Sequence, residues 1–181
     1  MIGCVVLVGG PSESMATEIE GVEFAQSVPV GELRLPLRGL ALLRYRLFFK
    51  AYVAGLYVSA QVPSDAILTD VAKRLEIEYF WHLDASDIAK AGREILQRNV
   101  SASEFAQLEE GLTRIDAAYR DVDPGDRYAL TYLPGVGTRL SLNGESLVLV
   151  PGSLFAKAYF SIWLGARPID EGLKQALMEN S

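Results

Sequence analysis

From Thr17 onward, apolar and polar residues follow one another with strand periodicity, and residues 32–39 (ELRLPLRG) alternate strictly. Pro36 inside that run points to a sheet edge, because proline has no N–H to give to a neighbouring strand. Residues 40–58 are rich in Leu, Phe, Tyr and Val and too long for one strand, so they predict two strands with a bend near residues 45–48. Pro63-Ser64-Asp65 opens a short helix, and residues 73–81 (KRLEIEYFW) alternate again as a strand.

The period then changes to that of helices. Asp84 is placed to cap a first helix, with Ile88, Ala91, Ile95 and Leu96 on one face. Ser101-x-x-Glu104 is a capping box for a second, in which Phe105, Leu108, Leu112, Ile115 and Tyr119 recur at helical spacing. Residues 121–126 (DVDPGD) are turn chemistry and lead into strands over 128–133, 138–142 and 146–150. Asn143-Gly144 marks a hairpin between the last two, since both residues tolerate positive φ. Helices over about 154–164 and 171–178 follow, separated by Gly165 and Pro168 and with Asp170 as a cap. Strands, helices, strands, helices joined by short connections predict one α+β domain, an antiparallel sheet with helices packed on it.

Residues 1–16 (MIGCVVLVGGPSESMA) have a different character, and the domain is taken as residues 17–181. The apolar run from Cys4 to Val8 is too short to span a membrane and lacks a preceding basic residue. Ser14-Met15-Ala16 has the small-x-small form of a signal-peptidase site, so this segment reads either as a vestigial or truncated export signal or as a frayed terminus. The first reading makes the protein periplasmic and the second cytoplasmic. No other stretch approaches transmembrane length.

Composition narrows the chemistry. With 17 Lys and Arg against 23 Asp and Glu, the 181-residue chain carries a net charge of −6. That balance argues against nucleic acid as a partner, which calls for a cationic face. One Cys excludes an internal disulfide and Cys-based zinc sites, and one His excludes multi-histidine metal sites. A calcium loop starting at Asp121 would need a carboxylate at its twelfth position, which is Tyr132. Gly135-x-Gly137 lies between strands and opens no helix for a phosphate. Asn99-Val100-Ser101 matches the N-glycosylation pattern by its three residues alone. His82, after Tyr79-Phe80-Trp81, is the one candidate for an axial ligand to haem. Its plainer reading is a half-exposed residue at a strand end near Asp84.

Residues 44–57 (RYRLFFKAYVAGLY) set three cations among aromatics. Arg44 and Tyr52 share strand parity, as do Arg46 and Lys50, but eight residues of strand span about 26 Å. Only if the chain folds back do a guanidinium and a phenol converge on one carboxylate or enolate beside an apolar wall. In the other reading the cations turn outward to surplus carboxylates and the aromatics form core.

That segment, together with residues 125–144 (GDRYALTYLPGVGTRLSLNG) and 161–174 (SIWLGARPIDEGLK), resembles the chalcone isomerase superfamily, most closely its bacterial chalcone isomerase-like branch. The resemblance implies an open-faced β-sandwich, a large antiparallel sheet covered on one face by helices, with a ligand cleft between the two. The superfamily includes isomerases that close a chalcone to a flavanone, fatty-acid-binding proteins and non-catalytic relatives, so the fold alone does not assign an activity. By the resemblance, the catalytic arginine of the isomerases corresponds to Arg44 and their catalytic threonine to Tyr52. Their helical tyrosine and asparagine correspond to Ile88 and Ile95, and their C-terminal threonine to Ile162.

An apolar cleft in place of those donors removes the groups that would stabilise an oxyanion, each worth roughly 2.7–4 kcal/mol. The fatty-acid-binding relatives pair the arginine with a tyrosine at the threonine position, as Arg44 and Tyr52 do here. The resemblance therefore implies a non-catalytic protein without a cofactor. Its partner would be a fatty acid or similar amphipathic carboxylate, the head group held by Arg44 and Tyr52 and the chain by Ile88, Ile95 and Ile162. The alternatives are an isomerase or lyase of enones using Arg44 and Tyr52, and haem binding through His82.

Overall fold

The computed structural model describes residues 16–45 and 49–179. The expectations for residues 1–15 and for Arg46 lie outside the described residues. Nine strands and four helices follow in the order β1 (Ala16–Ile19), β2 (Val22–Ala25), β3 (Ser27–Val30), β4 (Leu33–Tyr45), β5 (Phe49–Val58), β6 (Lys73–Tyr79), α1 (Ala85–Asn99), α2 (Ala102–Asp116), β7 (Arg127–Leu133), β8 (Gly137–Leu142), β9 (Glu145–Val150), α3 (Ser153–Leu164) and α4 (Glu171–Met178). Strands β3 to β9 form one seven-stranded antiparallel sheet in sequence order, and β1 and β2 form a separate hairpin. The four helices pack on one face of the sheet and the β1–β2 hairpin on the other. This is the α+β, open-faced sandwich expected from the sequence.

Where one strand was expected to end at Gly39 and another to start at Leu40, β4 runs on through thirteen residues. A bulge at Arg38 lets it bend without breaking its pairing with β5. Gly39 admits the end of α4 there, since a Cβ at that position would lie 2.3 Å from the Ala176 carbonyl oxygen. Pro36 pairs with Ser27 on β3, while pairing with β5 begins only at Leu37, so its missing N–H falls on a local edge of an interior strand.

The capping box at Ser101 and Glu104 forms as expected, with Glu104 N–H bonded to Ser101 Oγ at 3.2 Å and Ser101 N–H to Glu104 Oε2 at 2.8 Å. Asp84 stands at the N-cap of α1 but its side chain does not cap it. Asp121 does, accepting the Ala85 N–H at 2.9 Å, because the Asp84 carboxylate is turned to His82. Asn143 and Gly144 both take positive φ, 50° and 84°, the geometry of the tight hairpin joining β8 to β9.

One buried cation anchors the far end of the inner face. Lys73 is fully buried, gives hydrogen bonds to the carbonyls of Thr69 and Val71, and lies over the rings of Tyr132 and Phe160. Burial lowers its pKa to about 8.

Candidate functional site

A cavity of about 520 Å³ lies between the sheet and the helices. The strand register builds its floor in rows of side chains pointing to one face. Leu43, Tyr52 and Tyr79 form the first row, Ile77 and Tyr128 the second, and Leu75, Leu130 and Leu140 the third, while Ala54 and Leu56 share the face without lining the cavity. Two residues of strand separate successive rows, so the three span about 13 Å. The roof carries Ile88, Ile95, Tyr119, Tyr159, Ile162 and Trp163. Leu43, Ala51, Leu83 and Ile88 are only half-buried, and Asp87 is exposed, so the cavity opens beside the first row. The innermost row of the floor is aliphatic, and the outermost row carries the phenols of Tyr52 and Tyr79 beside an aliphatic mouth.

The phenols form a packed cluster. Tyr79 stands edge-on to Tyr52 (centroids 5.7 Å apart) and to Tyr128 (6.2 Å), and Tyr128 in turn to Tyr119 (5.3 Å). Trp163 Nε1 donates to the Tyr52 hydroxyl at 3.1 Å, and the hydroxyls of Tyr119 and Tyr159 lie 2.7 Å apart. Tyr128 is fully engaged, donating to the Arg120 carbonyl and accepting the Arg120 N–H. The hydroxyl of Tyr79 makes no hydrogen bond among the described residues, although the side chain is only 6% exposed. Burial raises the pKa of Tyr52, Tyr79, Tyr119 and Tyr159 well above that of a free phenol, so all four are neutral donors at physiological pH.

Of the residues singled out from the sequence, Tyr52, Ile88, Ile95 and Ile162 meet in this cavity. Arg44 does not. Pairing of Leu43 with Tyr52 and of Arg44 with Lys50 leaves Ala51 as an extra residue in β5. That bulge resets the parity of the strand, so Ala51 and Tyr52 both face the cavity while Lys50 and Arg44 turn to the opposite face. There both cations bind Glu20, Lys50 at 2.5 Å and Arg44 at 3.4 Å, and the lysine holds the Glu20 carboxyl below the usual range. The chain folds back as the first reading required, yet the cations point outward as in the second.

His82 also lies outside the cavity. Its Nδ1 is 2.8 Å from Asp123 and its Nε2 3.4 Å from Asp84, and these hydrogen bonds raise its pKa. With both ring nitrogens facing carboxylates, the residue does not fit an axial haem ligand. Tyr79, Tyr119, Tyr128, Tyr159 and Trp163 were not picked out as site residues from the sequence. For Tyr79 and Tyr128 the signal was parity with Ile77 and Leu130 on paired strands, legible only once the register is known; Tyr159 and Trp163 lie on α3, and Tyr119 follows α2.

An antiparallel sheet roofed by helices over an apolar, tyrosine-rimmed cavity makes this an α+β domain with internal room for a small molecule. The sequence model of the chalcone isomerase-like family matches residues 16–179, and the chain belongs to that family. Its fold is similar to the crystal structure of a fatty-acid binding protein from Arabidopsis thaliana, with a TM-score of 0.70 over 91% of this chain and 96% of that one, at 14% sequence identity. No curated protein sequence matches the chain.

Proposed function

We propose that the protein binds a fatty acid or similar amphipathic carboxylate in this cavity and does no chemistry on it. One observation carries the reading: the cavity floor is graded, with leucines in its innermost row and the phenols of Tyr52 and Tyr79 in the row nearest the mouth. A long-chain ligand entering tail first would bury its methylenes against Leu75, Leu130, Leu140, Ile95 and Ile162. Each methylene contributes about 0.8 kcal/mol before ordering costs, ample for micromolar binding of a long chain. The head group would rest by Tyr52. The fold neighbour from Arabidopsis, a fatty-acid binding protein, supports this ligand class.

The paired head-group clamp expected from the sequence is kept for its tyrosine half. Arg44 would have to leave Glu20 and cross to the other face of the sheet to touch the ligand. The isomerase reading is weaker for the same reason: it needs Arg44 as the electrophile, and the only carboxylate lining the cavity among the described residues is the exposed Asp87. Native mass spectrometry of the protein, delipidated and reloaded with palmitate, tests the proposal. One palmitate should be retained per chain; a protein that emerges bare from an excess of palmitate contradicts it.

A further inference from the structure

Among the described residues lining the cavity there is no Lys, Arg or His, and the one charged side chain, Asp87, has the sign that repels a carboxylate. Hydrogen-bond donors are nonetheless in surplus. Tyr79 O–H has no partner among the described residues. Tyr52 accepts from Trp163, which leaves its own hydrogen without an acceptor among the described residues, and the Tyr119–Tyr159 pair uses one of its two hydrogens. Tyr52 and Tyr79 face each other across β5 and β6 in the row nearest the mouth. Both side chains line the cavity and neither hydroxyl is sealed off in the core, so a ligand group that completes these two phenols must bring lone pairs and need bring no charge.

We propose that Tyr79, together with Tyr52, holds an acceptor oxygen of the ligand, and that the site reads the acceptor and not its charge: an acid and its ester are equivalent ligands. The inference rests on the proposed function and names the head-group chemistry of that site. Tyr79 is wedged between Tyr52 and Tyr128, so its hydroxyl is held in place before any ligand arrives and little ordering is lost on binding.

Calorimetric titration of the unaltered protein and of Tyr79→Phe with laurate and with methyl laurate tests it. Acid and ester should bind within about tenfold of each other. Tyr79→Phe should weaken both by about tenfold, the worth of one hydrogen bond, at an unchanged melting temperature. Unchanged affinity in Tyr79→Phe, or an ester more than a hundredfold weaker than the acid, overturns this inference while leaving fatty-acid binding intact. Failure of the unaltered protein to bind either ligand overturns both. Tyr52→Phe, measured alongside, should show the same parallel loss for acid and ester; a loss confined to the acid would mean the site recognises charge and would overturn the proposal.

Discussion

The two faces of the central sheet are made by alternate residues of the same strands, and they are built to opposite ends. On β5, Val53, Gly55 and Tyr57 face the β1–β2 hairpin, while Tyr52, Ala54 and Leu56 face the helices. The hairpin face is filled. Phe24 lies so close over Gly55 that a Cβ there would sit 2.6 Å from its ring, and Arg127 stacks on the other side of the contact, 4.5 Å from the Phe24 centroid. The same guanidinium bonds Glu78 at 2.6 Å, Glu76 at 3.1 Å and the Glu23 carbonyl at 2.9 Å. The helix face, with larger aromatics, keeps a cavity of about 520 Å³. Close packing on one face supplies the stability that lets the other stay open.

The largest expected effect is on the filled face. Phe24→Ala should cost about 3–5 kcal/mol in denaturant unfolding, because it empties a fully buried ring site and removes the ring that Arg127 stacks on. A loss below 1 kcal/mol would show that the hairpin is not the support described here. Gly55→Ala should cost about 1–3 kcal/mol, as the new methyl displaces the ring. Gly92→Ala in α1 is its counterpart on the open face. Its Cβ would meet Ile162 at 3.7 Å and the Tyr159 hydroxyl at 3.9 Å, ordinary contacts, so it should gain about 0.5–1 kcal/mol. If both glycine variants shift stability in the same direction, the contrast between the faces is wrong.

Alkali should act on the open face. The folded-state pKa values of Tyr52, Tyr79, Tyr119 and Tyr159 lie above the unfolded value near 10, so above about pH 10 the unfolded chain gives up protons that the folded chain keeps. The stability contributed by these groups is complete below that pH and falls as pH rises beyond it. Phenolate absorbance at 295 nm from these residues should therefore appear together with loss of circular dichroism. Full phenolate absorbance near pH 10 with the fold retained would contradict their burial. The smallest effect belongs to His82, whose pKa is raised by hydrogen bonds to Asp123 and Asp84. Its contribution is present below pH 6.5 and lost as pH rises through the raised value, and His82→Gln should abolish that slight slope in melting temperature.

Much of the fold was legible because its signals are local. The capping box at Ser101, the Asn143-Gly144 turn and the alternation of β6 each rest on a few adjacent residues. Leu33–Tyr45 was read as parts of two strands because a bulge at Arg38 and a local edge at Pro36 depend on where β3 and β5 begin and end. The site was legible only in part for a related reason. Tyr52, Ile88, Ile95 and Ile162 were identified, but parity counted along one strand cannot register the extra residue Ala51, which sends Arg44 to the far face. Tyr79 became a site residue only through its pairing with Tyr52 across two strands.

The proposed ligand enters the cavity on the helix face and binds no other surface. Calorimetric titration of palmitate into the unaltered protein and into Ile88→Trp tests it most directly, because Ile88 is half-buried at the mouth and its replacement narrows the entrance without disturbing the sealed core. The expected result is one micromolar site in the unaltered protein and at least a tenfold loss in Ile88→Trp at similar melting temperature. Equal binding by the two proteins, or none by either, would contradict it.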